Sequence, residues 1–176
     1  MQTDTFTIEI LDHHWINGSK DDPADLCAHG FVLAQIGSEI ICEKDTLDVC
    51  TSAAALHLLR TLVKDYVPGD FAGQLLPCCG HFMIASDDLK TADVCGCPSG
   101  IDWNVMHLPG NSVRLTSLSG TELTITFEDY KTQVLAFADG VKAFYDASSR
   151  KILPNDDFDQ NGYIAFWNEW QNLRNK

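Results

Sequence analysis

Positive charge is scarce in this chain. Lys and Arg total 12 against 25 Asp and Glu, a formal net charge of −13 over 176 residues. A field of that sign repels phosphate backbones and anionic headgroups, so direct binding of nucleic acid or of a membrane surface is not expected. Long apolar runs are also missing, and spanning a bilayer takes about 20 consecutive apolar residues. Met1-Gln2-Thr3-Asp4-Thr5 has neither the basic start nor the apolar stretch of an export leader, so the cytoplasm is the expected location. The chain contains no G-x-S-x-G nucleophile elbow, no G-x-x-x-x-G-K-[ST] phosphate loop and no G-x-G-x-x-G fingerprint. It is therefore expected to be a non-enzyme without a cofactor.

What is present suits a globular protein. Hydrophobic residues make up 45% of the chain, too many for a disordered one. A chain of this length buries roughly 70% of its unfolded surface, which predicts one α+β domain over residues 1–176 without staples. The seven cysteines are an odd number, and Cys78 and Cys79 are adjacent. With no leader, the expectation is reduced thiols packed as small hydrophobes.

The pattern of apolar residues places the elements. Phe6, Ile8 and Ile10 alternate with polar residues as a half-buried strand. Residues 13–29, with Asp21-Asp22-Pro23, read as a loop, and 31–36 and 39–42 as a hairpin around Gly37-Ser38. Thr51 or Ser52 would cap a helix carrying Leu56, Leu59, Val63 and Tyr66, stopped by Pro68-Gly69. Residues 82–85 form a short strand. Three alternating segments follow, on Ile101/Trp103/Val105, Val113/Leu115 and Leu123/Ile125/Phe127, joined by turns that require antiparallel pairing. Asp129 would cap a helix with the stripe Tyr130, Val134, Phe137, Val141 and Phe144. A last helix, from about Gly162 to Leu173, would bury Ile164, Trp167, Trp170 and Leu173. The predicted fold is an antiparallel sheet of five to six strands with three main helices, mostly on one face.

Three constellations could carry chemistry. Cys78, His81, Cys95 and Cys97 offer four zinc-type ligands, though without the C-x-x-C knuckle, and a small zinc enzyme built on them is the alternative function. Asp157, Asp159, Asn161 and Gly162 match the opening of a calcium loop, but position twelve is Asn168, with Glu169 one residue late. The expectation is that these acids serve a helix N-terminus instead. Ser148-Ser149-Arg150-Lys151 fits S-x-x-K, and Cys78 or Cys79 could meet His81, His57 or His107, but no further catalytic element accompanies either. A domain with an unnamed small ligand is the remaining alternative.

Leu75-Leu76-Pro77-Cys78-Cys79-Gly80 and Cys97-Pro98-Ser99-Gly100-Ile101-Asp102-Trp103 resemble stretches in a group of small bacterial proteins, a likeness that brings no activity with it. In size, acidity and α+β layout the chain resembles the immunity proteins of contact-dependent growth inhibition and related toxin systems. That resemblance implies neutralisation of a basic toxin domain, a nuclease for example, by occlusion of its active site. Carboxylates would stand where substrate phosphates bind. The acids clustered in predicted loops are the candidate contacts: Asp21, Asp22, Asp25, Asp87, Asp88, Asp156, Asp157 and Asp159. Trp15, beside this acidic loop, is expected to be exposed as an aromatic anchor.

Overall fold

The structure is a computed structural model that describes residues 5–80 and 82–176. Period-two alternation builds its first sheet: in β1 (Phe6–His14), Phe6 and Ile8 are buried while Glu9 is exposed. β1 pairs antiparallel with β2 (His29–Ile36) through a register shift between Ile10 and Asp12, which carries the strand on to His14, into the predicted loop. β2 also pairs with β3 (Glu39–Cys42) and with the short β4 (Val49–Cys50). Gly37, at φ +59°, makes the turn between β2 and β3.

α1 (Thr51–Thr61) leaves β4 directly, and all of its residues are buried. Cys50, not Thr51 or Ser52, holds the N-cap position, without a side-chain capping bond, and Thr51 donates its hydroxyl to the Ala28 carbonyl. The helix also ends sooner than its spacing predicts. Val63 is exposed, and Tyr66 bridges to Val105 and donates its hydroxyl to Asp102. Tertiary pairing overrides the local period there.

β5 (Phe82–Ala85) and β6 (Ala92–Cys95) form a hairpin, and β7 (Trp103–Leu108), β8 (Ser112–Ser117) and β9 (Glu122–Thr126) form the expected antiparallel meander. Two helices follow, α2 (Phe127–Ala147) and α3 (Asp157–Arg174). The fold class is α+β, with antiparallel strands and three helices among the described residues, as the alternation predicts. The strands are divided among three separate sheets of four, two and three strands. Among the described residues no helix is long and apolar enough to cross a membrane.

Thr126 caps α2 and accepts from the Asp129 amide, while its own hydroxyl donates to the Asp129 carboxylate. Asp129 is thus bonded to the capping residue rather than being the cap itself. α3 begins five residues ahead of Gly162, with Asp156 as its cap. Its buried face is Gly162, Ala165, Phe166, Glu169, Trp170 and Leu173, while Ile164 and Trp167 are only half-buried. The stripe is rotated because Gly162 lies against the Met83 carbonyl of β5, which turns its neighbours inward.

Several histidines are built in neutral. Burial first, and then the Arg60 charge, push His57 down to about 3, and burial pushes His13 down to about 4. The unfolded chain takes up these protons near the ordinary value of about 6.5. It therefore binds more protons than the fold throughout the window between, and stability falls as pH drops through it. For His57 alone the loss by pH 5 is on the order of 2 kcal/mol. His57→Gln, which keeps a donor for the Gln74 carbonyl, is expected to flatten the fall in melting temperature between pH 7 and pH 5. An unchanged slope in thermal scans would refute this assignment.

Candidate partner-binding face

The first turn of α3 lies beside the edge of β5, and two clefts open there. One, of about 250 Å³, is lined by Asp25, Cys27, Phe82, Met83, Pro154 and Asp159, among others. The second, of about 270 Å³, is lined by Ala85, Ser86, Asp87, Leu89, Phe158 and Asn161. Strand alternation on β5 turns Met83 inward and Phe82 and Ile84 outward. Phe82 is 53% and Phe158 51% exposed, far more than aromatic rings whose only role is packing. Three segments distant in sequence thus meet: the loop after β1, the β5–β6 turn and the start of α3. Each brings a carboxylate to an apolar centre.

The predicted acids divide into two kinds. Some serve the protein's own turns. Asp21 accepts from the Ser149 hydroxyl and amide, which hold its carboxyl below the usual range. Asp22 accepts from the Ala24 and Asp25 amides and from Asn17, and Asp25 accepts from the Ile16 and Cys27 amides. Asp88, bonded to Lys90 and Ser86, is held down at about 2. Asp156 accepts from the Phe158 and Asp159 amides as the α3 cap. The others are exposed: Asp87, Asp157 and Asp159. Among the described residues no donor bonds to their carboxylates. They flank Phe158, which the sequence showed only as an apolar residue inside a failed calcium loop.

Trp15 corrects the expectation of an exposed anchor, since its relative exposure is 0%. Its ring stacks on Phe144 at 4.8 Å, meets Tyr145 edge-on at 5.1 Å, and lies under the Lys151 ammonium, 3.0 Å from the ring centroid. Its indole N–H donates to the Lys20 carbonyl, so the one polar atom that would hold it at the surface is satisfied inside.

The other constellations resolve differently. Residues 157–164 are helical, so their oxygens cannot converge as a calcium loop does; Asp156 caps the helix, and Asp157 and Asp159 lie in its first turn, where their charge suits the helix dipole without a capping bond. Of the four proposed zinc ligands, His81 lies outside the described residues, and Cys95 stands apart from a cluster formed by Cys78, Cys79 and Cys97. Cys78 and Cys97 are bonded to each other, which corrects the expectation that every thiol is free. The β5–β6 hairpin brings together the loops that carry them. His57 gives its Nδ1–H to the Gln74 carbonyl and His107 pairs through Nδ1 with Asp65; among the described residues neither ring is bonded to a cysteine. In the S-x-x-K pattern Ser148 donates to the Phe144 carbonyl, Ser149 to Asp21, and Lys151 to the Asp22 carbonyl. No protein-family model, curated protein or solved structure matches this chain.

Proposed function

We propose that the protein binds a basic polypeptide through the face around the first turn of α3, and that this binding neutralises a toxic domain such as a nuclease by covering its cationic active site. The supporting observation is the meeting of free carboxylates with exposed aromatic rings. Asp159 and Phe82 line one cleft, Asp87 and Phe158 line the other, and Asp157 precedes Phe158 in the first turn of α3. An apolar centre with a charged rim is the anatomy of a specific protein interface. The net charge of −13 accelerates encounter with a cationic partner and disfavours acidic ones. In this reading Phe158 enters a pocket on the partner, and the three carboxylates pair with its Lys and Arg side chains.

The test is affinity capture from the native host at low salt, followed by purification of the captured polypeptide and titration. A basic partner binding one to one is expected, with affinity falling as ionic strength rises. Phe158→Ala and Asp159→Lys should each weaken binding at least about tenfold, the effect of losing roughly 1.4 kcal/mol at a hot spot. Glu122→Lys, on β9, should leave it unchanged. Equal binding by Phe158→Ala and wild type would remove this face from the interaction.

A further inference from the structure

Two short cysteine loops bracket the β5–β6 hairpin, Cys78-Cys79-Gly80 before it and Cys95-Gly96-Cys97 after it. The pairing of Phe82 with Cys95 draws the loops together. Their glycines allow the close approach. A Cβ on Gly96 would lie 2.2 Å from the Cys79 carbonyl oxygen and 3.0 Å from its sulfur, and one on Gly80 would lie 2.8 Å from Ala53. The sulfurs of Cys78, Cys79 and Cys97 all lie within 4.8 Å of one another as a result. The Cys97 amide donates to Cys79 Sγ at 2.9 Å. This bond fixes the position of the Cys79 sulfur beside Cys97.

We infer that these three thiols form a binding site for a thiophilic divalent cation such as zinc, and that the Cys78–Cys97 bond is the oxidised, metal-free form of the same site. One pair already has the spacing a metal requires. With Zn–S bonds of about 2.3 Å, two sulfurs on a tetrahedral ion sit about 3.8 Å apart, and the Cys78 and Cys79 sulfurs are 3.8 Å apart, whereas Cys78 and Cys97 are drawn to bonding distance by their disulfide. A cleft of about 320 Å³, lined by Cys79, Gly80, Cys27, His29, Asp25 and Ile16, reaches the cluster from solvent. It gives the ion a route in, and the fourth coordination position is left to water or an outside ligand.

The two forms interconvert by a balanced exchange. Two equivalents of a small thiol reduce the Cys78–Cys97 bond. They give up two electrons and two protons and join as a disulfide, and both cysteines become thiols. The cation then binds three sulfurs and releases three protons. Metal and disulfide exclude each other, because both use Cys78 and Cys97. The entry cleft shares Asp25 and Cys27 with the cleft beside Phe82, but the three sulfurs lie outside the rim of Phe158 and the assignment does not depend on that face binding a partner.

The experiment uses the full chain without a histidine tag, reduced with a phosphine and desalted under nitrogen. Zinc chloride is the probe, with free metal read by a chromophoric chelator, and cobalt chloride reports thiolate ligation by its charge-transfer absorption. The reduced chain should take up about one equivalent of zinc, and the chain with Cys78 and Cys97 bonded should take up none. Cys79→Ser should lower affinity at least about tenfold, the scale of losing one ligand's support, and Cys42→Ser, in β3, should not. If Cys79→Ser fails to fold by circular dichroism, Cys97→Ala decides instead. Uptake below about half an equivalent by reduced wild type, or wild-type affinity in the ligand variants, overturns the assignment.

Discussion

Replacing Glu169 with Ala is expected to cost about 3–5 kcal/mol of stability and to lower the melting temperature by on the order of 10 °C. Glu169 meets Arg60 through two bonds, Arg60 Nε to Oε1 at 2.7 Å and Nη2 to Oε2 at 2.9 Å. The exposures of the two side chains are 10% and 8%. The same carboxylate accepts from the Ala92 amide at 2.9 Å, and Arg60 Nη2 also donates to the Ala92 carbonyl. One ion pair thus joins α1, α3 and β6. Truncating Glu169 strands a buried guanidinium and an unpaired amide together. A further contrast separates ion pairing from backbone satisfaction. Replacing a buried pair by apolar residues is often neutral, but Arg60→Met with Glu169→Leu leaves both polar groups of Ala92 without partners. That double variant should recover part of the loss and not all of it. Chemical denaturation of the three proteins decides this, and a loss under about 1 kcal/mol for Glu169→Ala would show that water reaches the pair.

The Arg60–Glu169 pair marks the limit of what the sequence discloses. Local alternation made the meander legible: Val105, Val113 and Leu115 are buried as the period-two pattern requires. Capping chemistry made the start of α2 legible to within three residues. α1 is less legible, because a helix buried on every side has no polar face to set a period, and it ends sooner than the spacing predicts. Trp15 misled for a related reason. Acidic neighbours in sequence imply water, but its ring is covered by Phe144 and Tyr145 from α2 and by Lys151, all more than a hundred residues away. The acids of the candidate face were legible as a list but not by role. Whether an aspartate caps its own turn, as Asp22 and Asp156 do, or remains free, as Asp157 and Asp159 do, is decided by the amides that folding brings to it. Cys79 was visible in the sequence, but its place in the thiol cluster depends on the hairpin register.

Gly162→Ala carries the other large effect, and its sign distinguishes local propensity from packing. In an isolated helix the substitution would gain roughly 1 kcal/mol, since Ala restricts the unfolded chain and Gly does not. In this fold the new Cβ would lie 1.8 Å from the Met83 carbonyl oxygen, 2.8 Å from its carbonyl carbon and 3.0 Å from its Cβ. The obstacle is backbone held in the β5–β6 hairpin, so no rotamer change relieves it. α3 or β5 must move, at a cost of about 3 kcal/mol or more. Gly140→Ala supplies the comparison: its Cβ would meet only the Cδ1 end of Ile10, at 3.2 Å. That flexible methyl can give way, and the variant should be neutral or slightly more stable. Melting curves of the two test the close seat of α3 on β5, and a stabilised Gly162→Ala would dismiss it. The same displacement would shift Phe158 and Asp159 relative to Phe82. Any Gly162→Ala protein that still folds should therefore lose partner affinity along with stability, whereas Gly140→Ala should keep both.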